Sequence, residues 1–450
     1  MRETAQTAQA VRAEAAACAE HARATCLRTG PPRRVGIELE WLVRDVRHPS
    51  LPADEARVAA AAERFAPGGV FPHGSALSRE PGGQLELSSP PYESLAACVA
   101  GVRADLRAMR EELAAAGHRL SGYGIDPWRE PARVFVDRPR YACMERLFDR
   151  FGPFGRYMMG ASASVQVCLD AGTQEPGPYN VRRRWWLAHR LGPVLVAAFA
   201  NSPMAAGRPT GWRSTRQVIW ARLDPSRTAA PAVPMGTDPR DAWARYALAA
   251  RLMCVRDQDG GPWASPHTTT FGQWIDRGYH GTGAASRPPT MDDFAYHLTT
   301  LFPPVRPQGH LELRMIDAQR GEDGWIVPLV VTTALFEDPE ATRAAEDAVA
   351  DLPPSGGSGP AAPADPLWLR ACRLGPHDPA LGRAALRCFD AALAALPRLG
   401  VPELRPLVDG FTQRYVARGR CPADDLTLAA RRGPRSWWDG TGEVPEWLTA

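Results

Sequence analysis

The stretch VGIELEW, residues 35–41, sets Glu38 and Glu40 two positions apart in an otherwise apolar run. On an extended chain alternate side chains share a face, so the two carboxylates stand together and Ile37, Leu39 and Trp41 point the other way. Like charges at that spacing repel unless something positive lies between them. Three further stretches share the design. GGQLELSSP puts Gln84, Glu86 and Ser88 in phase, ASASVQVCLD does so for Ser162, Ser164 and Gln166, and GHLELRMID for His310, Glu312 and Arg314. Any one of them alone reads as a strand with a solvated face. Four together, three of them acidic, read as the wall of a shared polar cavity.

The chemistry of such a cavity follows from its side chains. Converging glutamates without His or Cys clusters make an all-oxygen site suited to Mg²⁺, with Mn²⁺ as a substitute, rather than to zinc. Arginine supplies planar, permanently charged forks for phosphate and carboxylate. The segment GWRSTRQVIWARLDPSRT, residues 211–228, offers Arg213, Arg216, Arg222 and Arg227, although such a cluster taken alone is more often a surface loop. Carboxylates for metal and arginines for anions together point to phosphoryl transfer. The sequence has no lysine, so all 53 basic residues are arginine, and Schiff-base and P-loop lysine chemistry are excluded. The absence of HxD, DxH and HxH pairs argues against a metal-dependent phosphoesterase.

The elements that must hold these residues are strands separated by helices. Helical periodicity runs through residues 92–117, 180–199 and 239–255, with an interruption expected at Gly192–Pro193. The aromatic residues of RRRWWLAHR fall at helical spacing and read as core. The Gly/Pro-rich stretch 277–290 reads as a polar loop containing Tyr279 and His280. The domain reading is an N-terminal helix over residues 1–30, a catalytic domain over 31–350, a flexible linker or loop over 351–366 and a helical region over 367–450 packed on the same domain.

Composition narrows the class. A net charge of +3 on 450 residues, with no dense basic run, excludes nucleic acid as the main partner. No segment approaches the roughly 18–20 apolar residues of a membrane span, and the charged N-terminus lacks the apolar stretch of a secretory signal. Nine scattered cysteines without a CxxC motif fit reduced thiols and a cytoplasmic setting.

Taken in order, VGIELEW, GGQLELSSP, ASASVQVCLD, RSTRQVIWARLDPSRT and HLELRMIDAQ resemble glutamate–cysteine ligases of the plant and actinobacterial type, and among these the actinobacterial enzymes of ergothioneine synthesis. The resemblance spans residues 30–335. It implies an α+β fold of the glutamine synthetase-like kind, a strongly curved antiparallel sheet forming a half-funnel with helices on its convex side. It implies that ATP phosphorylates the γ-carboxylate of L-glutamate and that the amine of L-cysteine attacks the γ-glutamyl phosphate, in a monomer or homodimer. Carried over residue by residue, Glu38, Glu40, Glu86 and Glu312 would hold the metal, and Arg314 would face the transferring phosphoryl group. Arg216 and Arg222 would hold substrate carboxylate or phosphate. Gln84, Gln166, Arg227 and His310 are the remaining candidates for substrate contact, and Tyr279 and His280 for a lid over cysteine. Gln166 stands where glutamine synthetase has histidine, which favours the ligase subgroup. Two alternatives share these residues: a carboxylate–amine ligase of the same fold with another amine, and a non-catalytic nucleotide- or amino-acid-binding relative.

Overall fold

The period-two stretches form neighbouring strands of one sheet. The computed structural model describes residues 12–30, 33–48, 51, 53–65, 71–131, 138–231, 237–257, 261, 263–278, 287–353 and 361–431. The strands are β1 (Val35–Asp45), β2 (Ala76–Arg79), β3 (Leu85–Ser88), β4 (His118–Ser121), β5 (Ser164–Leu169), a separate small hairpin β6 (Met204–Ala205) and β7 (Arg208–Pro209), then β8 (Val305–Pro307) and β9 (Leu311–Asp317). The main sheet is antiparallel in the order β2-β3-β1-β5-β9-β8, with β4 paired to the far end of β1. The protein is thus a mixture of helices and an antiparallel sheet.

One face of that sheet is apolar throughout. Ile37, Leu39 and Trp41 of β1, Leu85 and Leu87 of β3, Val165 and Val167 of β5, and Leu311 and Leu313 of β9 are all buried in the main core. Helices α1 (Ala15–Cys26), α2 (Glu55–Glu63), α3 (Leu95–Ala115) and, further along the chain, α6 (Val181–Phe199) contribute to the same core. So does helix Ile326–Glu337, which packs on β5. Each buried Leu, Ile or Val is worth about 1.5–3 kcal/mol relative to exposure. A one-residue slip of any strand would exchange this face for the carboxylates, so the register is tightly set.

The other face looks toward a second apolar cluster. Helices α4 (Pro139–Phe148), α5 (Phe154–Ala161) and α7 (Thr215–Ala221) supply Met144, Met158, Met159 and Trp220 to it, and Phe302 joins them. The sheet's polar face therefore lies against a greasy wall without being sealed by it.

Beyond residue 365 the chain is helical, and helices Pro366–Leu374 and Pro379–Ala395 pack against α6. The linker reading falls partly on residues 354–360, outside the described residues. On its flanks Leu352 and Ala362 are buried in the main core, and Asp365 caps helix Pro366–Leu374 by accepting from the amides of Leu367 and Trp368.

The expected interruption at Gly192–Pro193 does not occur, because α6 runs unbroken from Val181 to Phe199 with Pro193 inside it. Gly192 is there for contact. A β-carbon at this position would sit 2.2 Å from the Trp368 ring, so the absent side chain is what lets α6 and the C-terminal helices close together. Gly192→Ala should therefore destabilise the protein by about 1–3 kcal/mol through overpacking, read as a lower urea midpoint with an unchanged slope.

Candidate active site

The register places the acids. Glu40 stands directly opposite Glu86 across β1 and β3, and Glu38 opposite Gln166 across β1 and β5. The β2–β3 hairpin adds a carboxylate that the motif reading passed over. Its tip is the turn Glu80–Pro81–Gly82–Gly83, closed by the Gly83 amide donating to the Glu80 carbonyl at 2.9 Å. Pro-Gly at the centre of a turn is the expected chemistry, and the register Ser78 to Glu86 brings Glu80 onto the acidic face. Reading SREPGGQLEL as a hairpin would have found it.

The E-x-R-x-x-D spacing of β9 is the mark of a bulge. Val167 pairs with Leu313 but Val165 pairs with Ile316, so Arg314 and Met315 together oppose Gln166. The extra residue returns Asp317 to the polar face, opposite Ser164. Asp317 is fully buried and accepts from the Asn201 amide at 2.9 Å, the Ser202 hydroxyl at 2.7 Å and the Ser214 hydroxyl at 3.1 Å. Ser214 is the N-cap of α7, so the bulge fixes where α7 begins and hence where Arg216 points. Arg216 donates to the Arg314 carbonyl at 3.0 Å, lies 3.9 Å from Asp317 and stacks over Trp220. Its Nε and Nη1 are buried without a hydrogen-bond partner.

These elements enclose a cavity of about 350 Å³. Glu38, Glu40, Glu80 and Glu86 line its β1–β3 side. Arg306, Arg314, Arg216 and Arg140 line it from β8, β9, α7 and α4, with Met158 and Phe302 in the apolar wall. Arg306 and Arg140 were not singled out from sequence. Arg306 was legible in principle, since VRPQGHLELR is a short hairpin that sets Arg306 opposite Glu312. Arg140 carries no local signal, because it arrives by the packing of α4. A second cavity of about 300 Å³, lined by Arg28, Arg34, Cys168 and His310, shares Glu38 and Gln308 with the first.

Hydrogen bonds divide the anticipated residues into those that are free to meet a ligand and those that are spent. Glu40 accepts from Ser164 and from Gln166, each at 2.9 Å, and Gln166 in turn accepts from Arg314. Both ends of the Gln166 amide are thus engaged, linking Glu40 to Arg314. Glu312 is fully buried and held by Arg306 at 2.5 and 2.9 Å, by Gln308 at 3.1 Å and by Arg314. Its carboxylate is thus engaged by two arginines and an amide in this structure. Gln84 anchors to the carbonyls of Ser162 at 2.9 Å and Met159 at 3.3 Å and leaves Oε1 unpaired at the cavity wall.

Two arginines do not reach the cavity. Arg227 is completely buried, paired with Asp224 at 3.1 Å and donating to the carbonyls of Thr300 at 2.9 Å and Arg251 at 2.6 Å. Arg222 closes the C-terminus of α7 and lies 5.4 Å from the centroid of the Phe154 ring, outside the cavity lining. The heptapeptide spacing of the arginine motif hides this split, because the helix ends between Arg216 and Arg222. His310 precedes β9 and lines the second cavity, with Nε2 buried and unpaired. Tyr279 and His280 lie outside the described residues.

The electrostatics are lopsided. Burial and then Glu312 push the Glu38 carboxyl up to about 8. Burial and then Glu40 push Glu80 up to about 7, and burial with Glu80, Glu40 and Glu38 holds Glu86 well above the carboxylate range. Burial also acts to raise Glu312, but Arg306 and Arg314 outweigh it and hold that carboxyl well below the usual range. The protein's own cations thus satisfy Glu312 and leave the β1–β3 acids short of positive charge. All the donors there are carboxylate oxygens, which fits a hard divalent cation. Among the described residues no group of three or more acidic, His or Cys side chains is arranged to hold a metal ion by itself.

Two predictions follow from this division. Glu38 binds its proton more tightly in the folded than in the unfolded chain, so that carboxyl costs stability as pH rises from about 5 through about 8. In metal-free protein the melting temperature of Glu38→Gln should gain on that of the wild type across this range, and added Mg²⁺ should narrow the gap. Arg227→Met should lower unfolding free energy by about 3 kcal/mol by removing the buried partner of Asp224, which keeps only Arg251 at 3.4 Å as a counter-ion, while the folded fraction keeps its substrate KM values.

Residues 34–441 match the model of glutamate–cysteine ligase family 2. A glutamate–cysteine ligase EgtA of Mycobacterium tuberculosis is 39% identical over 419 residues, covering 92% of this chain and 90% of that protein. The EgtA of Mycolicibacterium smegmatis is 38% identical over 89% of this chain and 92% of its own. The chloroplastic glutamate–cysteine ligase of Arabidopsis thaliana is 30% identical over 62% of this chain and 52% of its own. Among solved structures, a Francisella tularensis glutamate–cysteine ligase in complex with AMP aligns over 94% of this chain and 92% of that one at 12% identity, with a TM-score of 0.45, a likeness too slight to argue from. On the family match and the EgtA relatives, the chain belongs to glutamate–cysteine ligase family 2.

Proposed function

We propose that the protein joins the γ-carboxylate of L-glutamate to the amine of L-cysteine at the expense of ATP, giving γ-glutamylcysteine, ADP and phosphate, in the cytoplasm and for ergothioneine synthesis. One observation carries the reading: a single cavity has uncompensated carboxylates on one wall and arginines with unspent donors on the other. That polarity suits a cation–nucleotide complex on the acidic side and the anionic groups of glutamate and phosphate on the basic side.

In this reading Glu38, Glu40, Glu80 and Glu86 hold Mg²⁺, or Mn²⁺ in its place. When bound, the ion supplies Lewis-acid neutralisation of phosphate charge. The nucleotide lies in the second cavity beside Arg28, Arg34 and His310, and its phosphates pass Glu38 into the first. Arg314, held by Glu312 and Gln166, faces the γ-phosphoryl group as it moves to the glutamate γ-carboxylate oxygen and ADP departs. Arg216, with Nε and Nη1 unspent, takes a glutamate carboxylate. The cysteine amine then attacks the acyl carbon, loses a proton, and phosphate leaves with the bonding pair. No protein nucleophile is required. Met144, Met158, Met159, Trp220 and Phe302 line this space with apolar surface and keep water from the acyl phosphate, where hydrolysis would waste ATP.

The finer shape of the fold, a strongly curved half-funnel with the cavity on its concave side, belongs to the same proposal, as does a monomeric or homodimeric state. No described helix is long and apolar enough to cross a membrane. The nine cysteines are unpaired, and all but Cys168, which lines the second cavity, are buried.

Purified protein given ATP, Mg²⁺ and glutamate should release ADP in a cysteine-dependent manner, with a product of γ-glutamylcysteine mass. ADP formed only with another amine would move the acceptor, and no turnover with any amine would favour a binding protein. Glu40→Gln should lower turnover by about 100-fold or more with its melting curve essentially kept. Full activity in that variant at limiting Mg²⁺ would remove Glu40 from the metal site.

A further inference from the structure

Beneath the tip of the β2–β3 hairpin lies a third, small cavity of about 60 Å³, on the other side of Gln84 from the ligase cavity. Three arginines line it: Arg44 from β1, Arg79 from β2 and Arg129 from the segment after β4. Arg44 is 1% exposed. One of its nitrogens is paired with Asp126 and its guanidinium stacks 5.2 Å over Trp128, yet its Nε and Nη1 are buried with no hydrogen-bond partner. The Nε atoms of Arg79 and Arg129 are likewise buried without a hydrogen bond, that of Arg129 lying 4.0 Å from the Asp126 carboxylate. The start of α2, at Ala53 and Glu55, borders the same space, with the helix end capped by Asp54, which accepts from the Arg57 amide.

The charges at this cavity decide the sign of its ligand. Asp126 is already spent, accepting from Arg44 and from the amides of Trp128 at 3.0 Å and Arg129 at 3.3 Å. Glu55 is the other acid in the lining, so three guanidiniums face two carboxylates. Water could satisfy the donors but would leave the extra positive charge; a cation would add to it. We propose that this cavity binds a small oxyanion of phosphate size, at a site separate from the ligase cavity.

The position gives such a ligand leverage. Gly83, at φ +84° in the left-handed region, closes the hairpin tip over the cavity. The opposite side of the same tip presents Glu80 to the ligase cavity, and Gln84 borders both spaces. An oxyanion bound to Arg44, Arg79 and Arg129 braces this hairpin and therefore changes the affinity of the neighbouring site for its own ligands, with reciprocal effect.

The test is calorimetric titration with inorganic phosphate at ionic strength fixed by chloride. Wild type should show two sites. Arg306→Gln should weaken the one in the ligase cavity, and Arg79→Gln/Arg129→Gln should weaken the other by about tenfold or more, the loss expected for charge-assisted hydrogen bonds. Sulfate should replace phosphate at the second site, whereas a preference for acetate would identify a carboxylate as the natural ligand. Should the double variant melt early, Arg79→Gln alone replaces it, since Arg79 is only half-buried. An isotherm unchanged in the arginine variants, or a second site that chloride abolishes in the wild type, would overturn the proposal and leave the cavity to water.

Discussion

Glu40 and Glu86 face each other across neighbouring antiparallel strands, a like-charge pairing that sheets normally avoid. The site is arranged around that repulsion. The pair is not relieved from within: Ser164 and Gln166 hydrogen-bond Glu40, and Ser78 hydrogen-bonds Glu86 at 3.1 Å, but these are neutral groups. Arg314, whose charge acts on Glu86, gives its hydrogen bonds to Glu312 and Gln166. The protein keeps an electrostatic debt on one wall and fixes its arginines on the other. The cost is met by the opposite face of the same strands, where the apolar side chains pin the register with far more free energy than the carboxylates oppose.

The bulge in β9 connects this face to the rest of the molecule. Without the extra residue Asp317 would turn into the core and lose Ser202, Ser214 and Asn201. With it, one buried carboxylate sets the start of α7, and α7 sets Arg216. Glu312 has a parallel task on the other side, holding Arg306 and Arg314 at fixed positions. Glu312 and Asp317 thus both hold arginines in place, and the uncompensated acids are those of β1, β3 and the hairpin tip.

What could be read from the sequence was what period two reveals. Four strands with a carboxylate or amide face showed their partition because alternation is a local property, and the sheet carries Glu38, Glu40, Glu86, Gln166, Glu312 and Arg314 on one side. Positions that depend on helix ends or distant packing were hidden. Arg216, Arg222 and Arg227 look equivalent in sequence, yet one lines the cavity, one closes a helix and one is sealed with Asp224. Gly192–Pro193 looks like a helix stop, but its meaning lies in Trp368, far along the chain. Glu80 was within reach through its Pro-Gly-Gly turn, whereas Arg140 was not.

In the proposed reaction the cavity activates a carboxylate by transferring a phosphoryl group to it. The most direct measurement uses glutamate labelled with ¹⁸O in its γ-carboxylate, turned over with ATP and cysteine, and mass analysis of the phosphate released. One labelled oxygen in each phosphate is the predicted result, because the oxygen that accepts the phosphoryl group leaves with it. Phosphate free of label, formed alongside product, would contradict the account.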